Sequence, residues 1–150
     1  MAVVVAHSTQ HYSDTDLQAV AAFLRQLPAP AASPRAPAPQ PGAEAWATGE
    51  RLYDKHCADC HGKDGQGVPY DGPALAGNRA LALPDADNVM RIVLLGGFGP
   101  STAAVPRPAG MPPFATLLGD DELAAVVSYV RWRFGNQAGG VSALDVNRQR

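Results

Sequence analysis

Apolar residues three and four positions apart mark several stretches of this chain, and proline or glycine closes each one. In residues 13–27, Leu17, Val20, Ala21 and Leu24 recur at helical spacing, with Phe23 on the flank. Ser13 is suited to capping the first turn, Asp14 and Asp16 sit where the helix dipole favours anions, and Pro28 and Pro30 stop the helix. It reads as an ordinary amphipathic packing helix. In residues 43–55, Trp46, Gly49 and Tyr53 fall on one helical face. A glycine inside a helix costs about 1 kcal/mol, so Gly49 predicts close approach of another element, and the last helix is expected there. Residues 85–95 read as a short helix with Val89, Ile92 and Val93 apolar, ended by Gly96-Gly97; Met90 within it reads as core. Residues 119–134 form the final helix, with Gly119 as N-cap, Glu122 at the third position and the stripe Leu123, Val126, Val127 and Val130. Tyr129 and Trp132 lie beside that stripe, and Gly135 is suited to a left-handed C-terminal cap.

The intervals divide the chain. Proline and alanine dominate residues 28–41, a composition that favours extended polyproline conformation and has nothing to bury. The expected organisation is a helical piece over 1–28, a linker over 29–42, one domain over 43–137 and a tail over 138–150 without strong pattern. Residues 62–83 read as loop, broken by Gly62, Gly65, Gly67 and Pro69 and then by Gly72-Pro73-Ala74-Leu75-Ala76-Gly77. No phosphate-loop pattern with its lysine is present. Residues 98–113 are irregular again. There Gly110-Met111-Pro112-Pro113-Phe114 fixes the backbone with two prolines, which suits a loop that presents one side chain inward. The fold class is all-α.

Composition narrows the picture. In 150 residues, 12 basic and 14 acidic side chains give a net charge of −2, with no basic stretch for nucleic acid. No apolar run approaches the roughly eighteen residues of a membrane helix. Fifteen glycines and 14 prolines fit a loop-rich chain, and a 46% hydrophobic content, much of it alanine, gives a modest core. A large covalently held apolar group would enlarge that core.

The chemistry concentrates in Cys57-Ala58-Asp59-Cys60-His61, a C-x-x-C-H, the attachment sequence of a c-type haem. Two thiols add across the two vinyl groups on one haem edge, and the histidine after the second is held under the iron. These are the only two cysteines in the chain. A redox C-x-x-C would follow a buried strand, whereas helix precedes Cys57. A zinc site needs four ligands, and His7, His11 and His56 have no ligand spacing to a second cysteine pair. Met111 is the candidate second ligand. Methionine opposite histidine raises a haem's potential and leaves no open position for a substrate.

Residues 13–20 and 119–126 align, Ser13-Asp14-Thr15-Asp16-Leu17-Gln18-Ala19-Val20 with Gly119-Asp120-Asp121-Glu122-Leu123-Ala124-Ala125-Val126, and Phe23 then meets Tyr129. The N-terminal piece thus looks like the closing helix of a second copy. The ordered set of C-x-x-C-H, Gly72-Pro73-x-Leu75-x-Gly77, Met111-Pro112-Pro113-Phe114 and Asp120-Asp121-Glu122-Leu123 resembles the class I cytochrome c domain over residues 43–136. More narrowly, it resembles the third haem domain of the three-haem cytochrome subunits of bacterial membrane-bound alcohol, gluconate and sorbitol dehydrogenases. The resemblance implies helices packed around one covalently attached haem c. It implies iron ligation by His61 and Met111, and a Pro73 carbonyl that accepts a hydrogen bond from the His61 ring. Leu75 and Phe114 would pack on the haem, and Gly49 and Tyr53 would meet Tyr129 and Trp132.

The function implied is one-electron transfer rather than catalysis, with a dehydrogenase subunit, another cytochrome or an oxidase as redox partner and a quinone as a further acceptor. The alternative is a haem enzyme of peroxidase type or a gas sensor in which Met111 is displaced; Arg107 is the nearby basic residue on that loop. Thioether attachment in bacteria is made outside the inner membrane, so the expected location is the periplasm, at the outer face of that membrane. Residues 1–6 do not make a signal peptide, so the sequence is expected to be a fragment or to have lost its leader. The apolar stripe of residues 13–27 is expected to dock on its own haem domain or, by exchange, to make a dimer through residues 1–28.

Overall fold

The computed structural model describes residues 2–28, 37–69 and 71–150. Most of the proline-rich linker, residues 29–36, lies outside them. The described residues fall into two compact units, one within residues 2–28 and 98–108, the other within residues 37–97 and 109–150.

In the first unit, α1 (Ala2–His7) leads through a 3₁₀ turn (Thr9–His11) to α2 (Asp14–Gln26). Ser13 caps α2: its hydroxyl accepts from Asp16 N at 3.2 Å, and Asp16 accepts from Ser13 N at 3.1 Å. This reciprocal capping box satisfies two orphan donors of the first turn. Gln10 is fixed at both ends of its amide, donating to Ala6 O and accepting from Ala103 N. Leu17, Val20, Phe23 and Leu24 of α2 are all exposed.

The second unit is built on the crossing of α3 (Ala43–His56) and α6 (Asp120–Trp132). Gly49 is where they touch. A Cβ there would lie 2.5 Å from Ala125 O and 2.6 Å from the Tyr129 Cβ, so only glycine allows this approach. Around it Trp46 packs on Tyr129 and Trp132, with ring centroids 4.7 and 5.5 Å apart, and Tyr53 packs on Tyr129 at 5.7 Å. Such tilted and edge-on pairs add to the burial itself. Glu122 accepts from Gly119 N at 3.1 Å and secures the start of α6. The one-turn α4 (Ala58–His61) and α5 (Asp87–Leu95) pack around this pair. Two-residue strands β1 (Gly97–Phe98) and β2 (Gly110–Met111) form a small ladder.

The end of α6 differs from its sequence expectation. The helix stops at Trp132, and the first left-handed residue is Phe134 (φ 59°), ahead of Gly135 (φ 81°). The Phe134 ring packs on Tyr53 and Tyr129, at 5.2 and 6.1 Å between centroids, and this burial holds the turn. The tail also packs. Its α7 (Ala143–Asn147) buries Val146, and Arg150 bonds Asp120, Leu118 O and Ala115 O. The chain joins this unit already at Pro37: Ala38 N donates to Gln137 O at 3.0 Å, and Trp132 Nε1 donates to Ala38 O at 3.0 Å. No helix among the described residues is long and apolar enough to cross a membrane.

Candidate haem site

α3 runs directly into the cysteine pair. Cys57 N still donates to Tyr53 O at 2.8 Å, and Cys57 O accepts from Cys60 N at 3.2 Å and His61 N at 2.8 Å. One helical turn therefore brings Cys57, Cys60 and His61 close together. The Tyr53 hydroxyl donates to Gly62 O at 2.6 Å and fixes the exit from the turn. Burial raises the Tyr53 phenol pKa well above its ordinary value.

His61 Nδ1 lies 2.8 Å from Pro73 O. A carbonyl can only accept, so Nδ1 carries the hydrogen and Nε2 keeps the lone pair, the form that binds a metal. The loop carrying Pro73 is itself fixed. Gly67 N donates to His61 O, and Leu75 N and Ala76 N both donate to Gly65 O, each at 2.8 Å. Gly72 lies against the Cys60 backbone so closely that a side chain would collide with its carbonyl.

Met111 reaches the site from a separate segment. Phe114 N donates to Val93 O at 3.0 Å and Ala115 N to Leu94 O at 3.1 Å, which ties the Met111-Pro112-Pro113 segment to the end of α5. A cavity of about 230 Å³ is lined by both segments. Cys57, His61, Pro73 and Leu75 line one part; Val89, Ile92 and Val93 of α5, Val126, Val127 and Val130 of α6, and Met111 line the rest, with Asn78 and Asn88 as the polar side chains. Five sequence-predicted residues thus meet in one space: Cys57, His61, Pro73, Leu75 and Met111. Cys60 and Phe114 do not line it. Cys60 is half-exposed beside Asp71, and Phe114 is buried with its ring 5.9 Å from that of His56. Met90 is core, 3% exposed.

As free thiols, Cys57 is pushed up to about 11 by burial and the neighbouring Cys60, and Cys60 is raised by desolvation and by Asp71.

Two polar residues escaped the sequence reading. Arg131, 2% exposed, donates from Nε to Gly139 O at 2.8 Å and from Nη2 to Leu83 O at 2.9 Å. Asn136 donates to Leu75 O and Val130 O, both at 3.0 Å. For Arg131 the available signal was its place beside Val130, inside a helix whose faces are nearly all apolar.

Aliphatic walls, a lone-pair imidazole, a thioether and two thiols on one turn suit a covalently held haem, with its large apolar face and its iron. Comparison with known proteins agrees, since the family model described as Cytochrome c matches residues 46–133.

The chain belongs to the cytochrome c family.

It has the all-α cytochrome c fold and carries one haem c, held covalently through the Cys57/Cys60 motif, and its role is electron transfer. When bound, the haem supplies an iron that gains or loses one electron. The chain is 38% identical over its whole length to the cytochrome c subunit of alcohol dehydrogenase (quinone) from Gluconobacter oxydans, covering 33% of that subunit. It is 36% identical over 97% of its length to the gluconate 2-dehydrogenase cytochrome c subunit of Pantoea cypripedii, covering 35% of it. Cytochrome c-552 of Thermus thermophilus is 34% identical over 61% of this chain and 64% of its own. The chain therefore spans about a third of the dehydrogenase subunits it matches.

Proposed function

We propose that His61 and Met111 are the two axial ligands of the haem. The domain would pass single electrons from a dehydrogenase or a neighbouring haem to a quinone, a cytochrome or an oxidase. The observation that carries this reading is the shared apolar cavity, lined by both His61 and Met111 between α5 and α6. With both axial positions filled by side chains, the iron has no place for a substrate, and its use is a change of oxidation state. The similarity to cytochrome c subunits of alcohol and gluconate dehydrogenases supports a dehydrogenase as the donor complex. The repeat between α2 and α6, and a match to one third of each subunit, support the reading as a third haem domain. Covalent haem attachment supports a periplasmic setting, at the outer face of the inner membrane.

Met111→Ala tests the ligand set. The variant should have a lower reduction potential and should bind carbon monoxide readily when reduced. A variant that keeps the parent's potential and spectrum removes Met111 from the iron. For the donor, oxidised domain mixed rapidly with an alcohol- or gluconate-reduced dehydrogenase should become reduced. No reduction by either enzyme would remove the proposed partner.

A further inference from the structure

We infer that Asn136 is a positioning residue for the haem's histidine, acting through the loop that holds the Pro73 carbonyl. This rests on the reading of His61 as an axial ligand.

The observations form a short chain of contacts. Pro73 O accepts from His61 Nδ1 at 2.8 Å. Two residues on, Leu75 O accepts from Asn136 Nδ2 at 3.0 Å, and the same nitrogen donates to Val130 O at 3.0 Å, near the end of α6. Because both partners are carbonyls, the orientation of the amide is fixed, with its nitrogen between them. Gly77 N donates to Phe134 O at 3.3 Å and makes a second tie between the same loop and the same turn. Phe134 also lies against Gly65, where a Cβ would come within 2.8 Å of its ring. The Gly65 carbonyl in turn accepts from Leu75 N and Ala76 N at 2.8 Å. The loop bearing Pro73 is therefore held from both ends by the turn after α6.

That turn has an unusual backbone. Phe134 and Gln137 are the non-glycine residues with positive φ among the described residues, at 59° and 50°, and they flank Asn136. Side chains of L-residues rarely adopt this conformation. Asn136 Oδ1 is out of water and has no hydrogen-bond partner among the described residues. A turn tuned for stability alone would avoid both features. Strained backbone of this kind collects where geometry serves a site.

The consequence is electronic. A strong bond from Nδ1–H to a carbonyl makes the imidazole a better donor to iron, which favours the oxidised state and lowers the potential. Loosening the loop weakens that bond and should raise the potential.

The test uses the holoprotein. Asn136→Leu keeps the size and the charge and removes both donated bonds. Asn136→Ser can serve one carbonyl. Spectroelectrochemistry should show an upward shift in potential for both, larger for Leu, and the His61 Nδ1 proton should exchange faster with solvent in NMR. Val146→Ala, at a position outside the cavity lining, loosens α7 against α6; it controls for lost stability and should leave the potential where it was. Parent-like potential and proton exchange in both Asn136 variants would overturn the proposal. So would a potential shift in Val146→Ala equal to theirs. Failure of the ligand assignment is distinguishable: the His61 ring resonances of the oxidised parent would then lack paramagnetic shifts, before any variant is made.

Discussion

Gly49→Ala is the sharpest test of the packing. The new Cβ would lie 2.5 Å from Ala125 O and 2.6 Å from the Tyr129 Cβ. Unstrained carbon contacts lie near 3.5 Å, so α3 and α6 must part by about 1 Å. One obstructing atom is backbone and the other is a Cβ, so no rotamer change can relieve them. Parting the helices also pulls Trp46 and Tyr53 from Tyr129, whose ring now sits 4.7 and 5.7 Å from theirs. Overpacking of this kind costs about 1–3 kcal/mol. The better helix propensity of alanine returns about 1 kcal/mol. The two clashes fall on atoms that cannot move, which places the steric cost toward its upper limit and the net loss at about 1–2 kcal/mol. For a domain of about 100 residues, at roughly 4–8 °C per kcal/mol, that is roughly 4–16 °C in Tm. Thermal melting of the holoprotein followed by circular dichroism reads this directly. A variant that melts at or above the parent would show that the helices do not meet at Gly49.

Tyr53→Phe removes one of two donors to Gly62 O, the hydroxyl at 2.6 Å, and leaves Gly65 N at 3.1 Å; it should cost about 0.5–1.5 kcal/mol in denaturant unfolding. The parent should also lose stability as pH rises above about 10. There the phenol ionises in the unfolded chain while burial keeps it protonated in the folded one, so the folded state binds more protons; Tyr53→Phe should flatten that slope. Haem should stay with the polypeptide through acid–acetone extraction, and no free thiol should titrate in the holoprotein; haem that extracts cleanly would remove the thioether links. Asp120 is held below its ordinary value by hydrogen bonds from Arg150 and Asn147. Arg150→Ala should move its NMR titration upward. The parent's stability should decline as pH falls below the ordinary carboxylate value of about 3.9, where the unfolded Asp120 takes up a proton first.

Local signals carried most of the helices. Ser13 and Asp16 lie in the sequence at capping-box spacing, and the box formed. Gly49 had no local reason to stand inside a helix, and that mismatch pointed to the crossing. The C-x-x-C-H was legible because its geometry is internal to one helical turn. Met111 was legible because two prolines follow it. What could not be read is the set of contacts that depend on distant carbonyls. Nothing near Asn136 marks Leu75 O as its partner, and nothing near Arg131 marks Leu83 O or Gly139 O. Side chain to backbone bonds leave no trace at the acceptor, because every residue has a carbonyl. The tail was unreadable for a related reason: Val146 is a single apolar residue, too little for a period, yet it is fully buried.

The crossing of α3 with α6 also sets how the chain can fold. Its partners stand near opposite ends of the domain, so the whole haem-binding loop region must be closed before Gly49 meets Ala125. Loop-closure entropy is lost before that contact repays it, and helical proteins with many non-local contacts fold more slowly than simple bundles. The histidine side of the site is different, since Cys57, His61 and Pro73 are near neighbours in sequence. The topology therefore lets the histidine turn form from near neighbours, while its loop and the Met111 side are fixed only when the closing helix and the turn after it arrive.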